Sequence, residues 1–391
     1  MVSKNDNKQS LKSIMIIGID GNEANIKQRV GVNMYAYDLL WSIWKLRKEW
    51  VKKHRLIVYL KNKPLDDMPS EVEGFKYQVI PGGGLWILTK LMPRLMFGGE
   101  ERPQVFFSPS HYIPPFAPMP KVCSIMDLGY LEFSGQFKKR DYWQLRLWSA
   151  ISILLSKAVI SISQSTKRDI VRHYPLSSKK VHVSYPAYDK KKYNTRVSLE
   201  DVQRVKRKYT IVGEYILFLS TLKPSKNVEG LLDALGSVRN AFPDIKLVIA
   251  GKKGWLFDPI FEKTKKLKLE KEIVFTGYVS EKDKPSLLRG AKVFVLPSYW
   301  EGFGLDALNA MACGIPVVVS NVGSLPEVID SAGILIDPNS AKSICGGIVK
   351  VLSADSVGYN RLIEAGLNQV KKFSWEKTAR ETLRIIESVA K

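Results

Sequence analysis

The sequence predicts an α/β protein with two doubly wound, parallel-sheet domains. Its 391 residues exceed the size of one ordinary hydrophobic core, so two domains are expected. Short, continuously apolar and β-branched runs alternate with helical patterns, which is typical of parallel strands buried on both faces. These runs fall into two sets, and the charged stretch 187–212 lies between them.

Thirteen runs are predicted to be strands. The first set comprises 14–20, 56–60, 77–80, 105–108, 122–127, 158–163 and 181–185. The second set comprises 215–220, 246–251, 273–278, 293–298, 316–320 and 333–337. Ligands of such sheets bind beyond the carboxyl ends of the strands. A cleft between two facing sheets is therefore the expected active site.

The composition indicates a globular protein without a membrane-spanning helix. Apolar residues make up 45% and charged residues 25% of the chain. No window reaches the roughly 18 consecutive apolar residues of a spanning helix, and Lys157 interrupts the richest run, 150–163. The first residues are polar and lack the pattern of a signal peptide, so 1–12 is expected to be a disordered tail. The three cysteines lack metal-like spacing, which favours reduced thiols, no metal site and a cytoplasmic protein.

The net charge of +22 is concentrated in the first half, where residues 1–195 carry 31 Lys/Arg against 16 Asp/Glu. Such a balance suits nucleic acid, an acidic membrane surface or phosphorylated substrates. The lysines are scattered and no nucleic-acid-binding motif accompanies them, so we predict no nucleic-acid partner. A solvated basic surface and peripheral contact with an anionic membrane both stay open.

One apolar segment, LWILTKLMPRLMF at 85–97, is a candidate membrane contact. Its apolar side chains can share much of a helical face, although Pro93 interrupts it. They are Leu85, Trp86, Leu88, Leu91, Met92, Leu95 and Met96. A core helix is the favoured explanation of the same pattern.

Several common chemistries lack their motifs. The sequence contains no G-x-G-x-x-G, no Walker GxxxxGK[ST], no HExxH and no G-x-S-x-G. By contrast, SYWEGFGLDALNAMACGIPVV at 298–318 places Glu301 beside Gly302 and Gly304 at the start of a helical pattern. Glycines let backbone N–H groups approach a ligand, and a helix start favours an anion. A ligand with both hydroxyl and phosphate groups would suit this stretch, and an ordinary helix-start turn with a surface acid is the alternative.

Four segments of the second half occur together and in order: STLKPSKN (220–227), VIAGKKGW (248–255), FTGYVS (275–280) and the long motif at 297–328. This set resembles the retaining glycosyltransferases of family 4, enzymes of GT-B architecture, and the mannosyltransferase-like members resemble it best. The first half resembles them more loosely, at 29–40, 106–115 and 124–133.

The resemblance implies two Rossmann-like domains that face each other across a cleft. An acceptor-binding domain would span 13–195 and a nucleotide-sugar-binding domain 196–372, and a C-terminal helix at 373–391 would cross back to the first. The implied reaction transfers a sugar from a UDP- or GDP-linked donor, with mannose as the leading sugar, and retains the anomeric configuration. It needs no metal or cofactor. The acceptor would be a glycan or a lipid-linked glycan at the inner face of the membrane, in polysaccharide or glycolipid synthesis.

The resemblance also assigns roles to individual residues. Glu301 would bind hydroxyls of the donor sugar, and Lys226, with Lys223 as the alternative, would contact the diphosphate. Asp127 would serve the acceptor side. His111, in a loop after a predicted strand, is a further candidate acceptor contact, and a structural loop histidine is the alternative. The other implied donor contacts are Gly31, Tyr278, Val279, Gly302, Phe303, Gly304, Leu305, Asp306 and Asn309.

Two positions depart from the family pattern. Relatives usually carry a second glutamate where this chain has Asn309, and a histidine where it has Met126 before Asp127. Two alternatives stay open besides transfer. One is a sugar-nucleotide epimerase of the same fold. The other, which the two departures favour, is an inactive sugar-nucleotide-binding protein.

Overall fold

The structure, a computed structural model, describes residues 14–133, 135 and 138–390. The predicted tail at 1–12 lies outside the described residues. The strands are β1 Met15–Asp20, β2 His54–Leu60, β3 Phe75–Val79, β4 Val105–Ser108, β5 Lys121–Ile125, β6 Ala158–Ser161, β7 Val181–Val183, β8 Tyr215–Leu219, β9 Lys246–Ala250, β10 Ile273–Gly277, β11 Val293–Leu296, β12 Val317–Ser320 and β13 Ile334–Ile336.

The helices are interleaved with these strands. They are α1 Val32–Lys45, α2 Arg47–Trp50, α3 Met92–Phe97, α4 Gly129–Glu132, α5 Lys139–Leu155, α6 Gln164–His173, α7 Leu199–Lys208, α8 Val228–Ala241, α9 Asp258–Lys266, α10 Lys284–Arg289, α11 Leu305–Ala312, α12 Leu325–Ile329, α13 Ala341–Leu352, α14 Ser356–Val370 and α15 Trp375–Val389. In the described part of the chain, none of them is long and apolar enough to cross a bilayer.

Two sheets organise the strands. The first has the order β3-β2-β1-β4-β5-β6-β7 and the second β10-β9-β8-β11-β12-β13. Each predicted apolar run coincides with one of these strands, with small differences at the ends. The prediction of two doubly wound parallel sheets is therefore confirmed.

The chain divides into two compact units. The first unit contains the described residues up to 125, residues 148–160 and residues from 379 onwards. The second unit contains 126–147 and 161–378. The domain boundaries at 195 and 372 that the resemblance implies stay a prediction.

In the first unit, β1 pairs in parallel with β2 and β4 at the centre of the sheet. The segment 86–97 packs into this core, where Trp86, Leu91 and Leu95 are at most 1% exposed. Pro93 lies in the first turn of α3, which directly follows the π-helical residues Ile87–Leu91. The core interpretation therefore holds for these three side chains, whereas Leu85 and Met96 of the predicted face are 66% and 37% exposed.

In the second unit, β8 pairs in parallel with β9 and β11. Asp283, only 2% exposed, forms ion pairs with Arg204 (2.9 Å) and Lys208 (2.5 Å), and Ser280 donates a hydrogen bond to it. Burial on its own would raise the pKa of Asp283, but the hydrogen bonds from Lys208, Arg204 and Ser280 bring the pKa well below its usual range. This network links α7 to the residues that precede α10.

Candidate functional site

Two loops of the second unit meet at the carboxyl ends of β8 and β11. These strands are parallel neighbours, with Val293 opposite Ile216, so the loops that follow them emerge at the same edge of the sheet. The Tyr299 N–H donates a hydrogen bond of 2.9 Å to the Ser225 carbonyl and joins the loops directly. The structure thus brings together two of the sequence motifs, STLKPSKN and SYWEGFGL.

Glu301 and Lys226 form an ion pair across this junction. The Lys226 Nζ lies 2.5 Å from the Glu301 Oε1, and the Ser298 Oγ donates a hydrogen bond of 2.9 Å to the same oxygen. The side chains of Glu301 and Lys226 are 11% and 12% exposed. The second oxygen, Oε2, has no hydrogen-bond partner among the residues that the structure describes. One carboxylate oxygen is therefore available to a ligand.

The backbone of Glu301 is fixed by a second contact. Its carbonyl accepts hydrogen bonds from the Ser324 N–H (3.2 Å) and the Ser324 Oγ (3.0 Å). Gly323 has φ +59°, and a Cβ atom there would lie 2.6 Å from the Glu301 carbonyl oxygen. Sequence reasoning did not assign a role to Ser298, Gly323 or Ser324, although all three lie in the motif at 297–328.

Glu327 anchors the segment that contains Ser324. It accepts hydrogen bonds from the Ser165 N–H (2.8 Å), the Gln164 N–H (2.9 Å) and the Tyr185 hydroxyl (2.9 Å). The two N–H groups belong to the first turn of α6, where they lack helical partners. Sequence reasoning missed this residue, because its partners are more than 140 positions away in the chain.

Gly302 allows a close approach between Glu301 and Asp127. A Cβ atom at residue 302 would lie 2.6 Å from the Met126 carbonyl oxygen and 3.0 Å from the Asp127 Cβ. Asp127 is oriented by a hydrogen bond from the Gly129 N–H to its Oδ1 (2.9 Å). The predicted residues Glu301, Lys226 and Asp127 therefore lie in one region of the second unit.

Lys223 adds a second cation to this region. Burial lowers its pKa and the charge of Lys226 lowers it further, while Asp127 and Glu301 act in the opposite direction. Its Nζ lies 5.1 Å from the centroid of the Trp255 ring. Two cations held close together at a partly buried site repel each other, and an anion bound between them would offset that repulsion.

The loop after Glu301 leads into α11. Gly304, with φ +89°, is the N-cap residue, and a Cβ atom there would lie 2.5 Å from the Leu325 Cδ2. The positive end of the α11 dipole and the N–H groups of its first turn that lack helical partners, at Leu305 and Asp306, lie at this end of the helix. Phe303 is 4% exposed and packs against Tyr185 and Phe373. Only the main chain of Phe303 can therefore serve a ligand.

Asp306, in the first turn of α11, belongs to a charge network that sequence reasoning missed. Burial raises its pKa, and the nearby Lys284 limits that rise. For Lys284, burial would lower the pKa, but Asp306 and Glu281 outweigh burial and the pKa is raised. Lys284 also forms an ion pair with Glu281 three residues earlier. No single motif contains all three residues, so only their proximity identifies the network.

Asn309 lies one turn after Asp306 and carries an unpaired acceptor. Its side chain is 5% exposed, and the Oδ1 has no hydrogen-bond partner in the described part of the chain. A buried acceptor without a partner costs about 1–3 kcal/mol. A hydroxyl or amine of a bound ligand could satisfy it.

The segment predicted to receive the base has one exposed and one buried side chain. Tyr278 is 46% exposed, whereas Val279 is 1% exposed. The residue before them, Gly277, has φ +65° and ends β10. Val279 can thus contribute only its main chain to a ligand, as the resemblance implies.

Two predicted residues lie in the first unit. Gly31 precedes α1 with φ +51°, which glycine adopts without steric cost, and a Cβ atom there would meet nothing within 4 Å. Burial lowers the pKa of His111 to about 4, so the ring is neutral at pH 7. The His111 Nε2 has no hydrogen-bond partner among the described residues. The roles of Gly31 and His111 stay predictions.

Metal-ligating side chains do not cluster in the part of the chain that the structure describes. None of its His, Cys, Asp and Glu residues form a group of three or more that could hold a metal ion. Lys226 and Lys223 place positive charge beside Glu301.

Comparison with known proteins relates the chain to sugar-transferring enzymes. Residues 201–369 match the family described as glycosyl transferases group 1. O-antigen chain mannosyltransferase B of Escherichia coli is 35% identical over 234 residues, which cover 58% of this chain and 60% of the relative. The aligned part thus spans less than two thirds of that relative.

A second relative matches over a greater share of its length. An uncharacterized glycosyltransferase of Methanocaldococcus jannaschii is 32% identical over 273 residues, which cover 68% of this chain and 69% of the relative. The crystal structure of Anabaena HepE in complex with UDP-glucose superposes with a TM-score of 0.72 at 18% identity, over 96% of this chain and all of that chain. The structural likeness and the two parallel sheets confirm the GT-B fold. The chain belongs to the group 1 glycosyltransferases.

Proposed function

We propose that the protein is a retaining glycosyltransferase that moves a sugar, with mannose as the leading candidate, from a nucleotide-diphosphate donor to a glycan or lipid-linked acceptor. The observation that carries this proposal is the Glu301–Lys226 ion pair at the loop that leads into α11. A carboxylate with one open oxygen suits sugar hydroxyls, and the lysine and helix start beside it suit a diphosphate.

The donor would be held by charge and by backbone N–H groups. Lys226 and Lys223 would contact the diphosphate, and the main chain from Gly302 to Asp306 would present N–H groups to it. The Asn309 Oδ1 and the Asp306 carboxylate would accept hydrogen bonds from ribose hydroxyls. The main chain at Tyr278 and Val279 would receive the base.

The reaction would be a substitution on one face of the sugar. The bond from the anomeric carbon to the phosphate oxygen breaks, and the acceptor oxygen forms its bond to the same face. The acceptor proton passes to a phosphate oxygen of the leaving group. Lys226 and the N–H groups at α11 stabilise the charge that grows on the leaving diphosphate, and the open oxygen of Glu301 orients the sugar. These groups need neither a metal nor a cofactor.

The relatives favour mannose as the transferred sugar but leave the nucleotide open. A matching curated protein is named as an O-antigen mannosyltransferase, whereas a structural neighbour was crystallised with UDP-glucose. We therefore include both GDP-linked and UDP-linked donors. The acceptor would be polysaccharide or glycolipid at the cytoplasmic face of a membrane, where lipid-linked glycans are assembled.

A donor-binding protein without transfer activity is the second candidate. Asn309 favours it, because the resemblance implies a glutamate at this position. An amide offers one acceptor oxygen to the two ribose hydroxyls, whereas a carboxylate offers two. Such a protein would bind the donor and release no nucleoside diphosphate beyond the uncatalysed rate.

The test begins with calorimetric binding of UDP-, GDP-, ADP- and dTDP-sugars to the full chain. The tightest donor is then incubated with acceptor glycans, with and without EDTA, and the anomeric configuration of the product is read by NMR. We expect one nucleotide class to be preferred, an EDTA-insensitive rate and a product of retained configuration. An inverted product would contradict the mechanism, and donor binding without turnover on any acceptor would favour the second candidate.

Variants link the result to the site. Glu301→Gln should remove transfer, whereas the matched exposed variant Glu270→Gln should leave the rate unchanged. Lys226→Ala should weaken binding of a nucleoside diphosphate more than that of the monophosphate, because only the diphosphate places a second anionic group beside the loop. Equal losses for both nucleotides would remove Lys226 from the diphosphate site.

A further inference from the structure

An apolar stripe runs along the exposed side of α5. Trp143 and Leu147 are each 60% exposed, and Leu154 on the same helix is 48% exposed. At 100° per residue these three side chains fall within about 40° of one another around the helix axis. They form one continuous stripe, which we call the α5 stripe.

The inward packing of α5 leaves the stripe uncovered. The buried residues of the helix are Ser149, Ser152 and Ile153, and the two serines lie on the side opposite the stripe. Trp148 also turns away from the stripe, since its ring centroid lies 5.5 Å from that of Tyr112. The inward packing therefore does not use Trp143 and Leu147. A row of large exposed apolar side chains on an otherwise ordinary surface marks a contact with another apolar phase.

Basic residues border the stripe on both sides. Lys139 and Arg146 lie along one edge and Arg140 along the other, and all three are exposed. The Arg146 guanidinium lies 5.1 Å from the centroid of the Trp143 ring. Trp and Leu between Lys and Arg side chains are typical of helices that lie in the headgroup region of an anionic bilayer. The charge of the border complements anionic lipid.

We propose that the α5 stripe docks the protein on an anionic lipid surface, with Trp143 and Leu147 inserted among the headgroups. This inference rests on the proposed function in one respect, since a lipid-linked acceptor would be reached from that surface. We favour it over the segment 85–97 as the membrane contact, because Trp86, Leu91 and Leu95 of that segment are buried in the core and, of its apolar side chains, only those near its two ends are exposed.

The test is flotation of the full chain with vesicles of phosphatidylcholine alone and vesicles containing about a quarter phosphatidylglycerol. We expect binding to the anionic vesicles at low salt and its loss at about 0.5 M salt. Trp143→Ser with Leu147→Ser should lower the partition coefficient at least about tenfold, and Lys139→Gln with Arg140→Gln should lower it about tenfold.

Matched controls separate the stripe from general surface properties. Leu176 and Val212 are 93% and 73% exposed elsewhere on the chain, and their double serine variant should bind within about twofold of wild type. The exposed pair Lys190 and Lys191, changed to glutamine, controls for net charge. Thermal unfolding and donor binding establish that each variant is folded.

Three results would overturn the proposal. They are absence of wild-type binding to anionic vesicles, equal losses in the stripe and control variants, and a dimer that Trp143→Ser dissociates while vesicles bind nothing. The last result would assign the stripe to a second copy of the chain. None of these measurements requires sugar transfer, so failure of the membrane inference and failure of the proposed function give different results.

Discussion

The Glu301–Lys226 ion pair should contribute measurably to stability as well as to donor binding. The sequence alone suggests that a loop acid such as Glu301 can be removed with little loss of packing. In the structure, however, Glu301 is 11% exposed and shares Oε1 with Lys226 and Ser298. Removing either charge leaves its partner in a partly buried position without compensation.

The expected magnitude lies between two limits. Exposed ion pairs contribute about 0–1 kcal/mol, whereas breaking a fully buried pair costs about 3–5 kcal/mol. With both side chains slightly more than one-tenth exposed, we expect a coupling free energy of about 2 kcal/mol between Glu301 and Lys226. Glutamine at residue 301 keeps an oxygen for the Ser298 hydroxyl, so Glu301→Gln isolates the charge.

A double-mutant cycle measures this coupling. The free energy of unfolding is obtained for wild type, Glu301→Gln, Lys226→Met and the double variant. The pair Lys76–Glu101, whose side chains are about half exposed, is the matched control and should couple by less than about 1 kcal/mol. A coupling at Glu301–Lys226 that is no larger than that of the control would refute the argument that burial strengthens this pair.

Three further predictions concern affinity and stability. Asn309→Glu should tighten binding of the preferred nucleoside diphosphate roughly tenfold in calorimetry, because a carboxylate can accept hydrogen bonds from both ribose hydroxyls. A weaker affinity in a folded variant would show that the amide is the better partner. Asp283→Asn should lower the free energy of unfolding by about 2 kcal/mol at pH 7, against under about 1 kcal/mol for the exposed Asp201→Asn. Because the pKa of Asp283 is depressed in the folded state, its contribution to the free energy of unfolding is present above about pH 4 and should be lost progressively as the pH falls below that value. If the free energies of unfolding of wild type and Asp283→Asn differ as much at about pH 3 as at about pH 7, this argument is wrong. Gly302→Ala should destabilise the protein by about 1–3 kcal/mol, because its Cβ atom would meet the Met126 carbonyl oxygen. Gly236→Ala, in open space on α8, is the control and should stabilise the protein by about 0.5–1 kcal/mol. Equal shifts in the unfolding midpoint of the two variants would reject the contact at residue 302.

The strands and the position of the main loops could be predicted from the sequence. Runs such as 215–220 and 293–298 are apolar throughout, because strands between two helical layers have no polar face. Parallel pairing then brings their carboxyl ends to one edge, so Lys226 and Glu301 were expected to share a site. The ion pair between them confirms that expectation of proximity. Their catalytic roles stay predictions.

Contacts across long sequence distances could not be predicted in this way. Glu327 accepts hydrogen bonds from Gln164 and Ser165, and Lys284 interacts with Asp306, yet no periodic pattern joins these residues. A polar side chain carries little information about its partner until packing brings the two together. Sequence reasoning for the same reason could list Asp306 and Asn309 but could not show that one joins a charge network and the other has an unpaired oxygen.

The sequence by itself determined the α/β class, the positions of its strands along the chain and the loops that carry the polar groups, because apolar periodicity and glycine positions act locally along the chain. Only the tertiary structure decided which apolar faces are covered. It buries Trp86, Leu91 and Leu95 in the first core and leaves Trp143 and Leu147 exposed, although both segments are similarly rich in large apolar residues. Burial depends on which element packs against a helix, and that is a property of the whole fold rather than of the helix sequence.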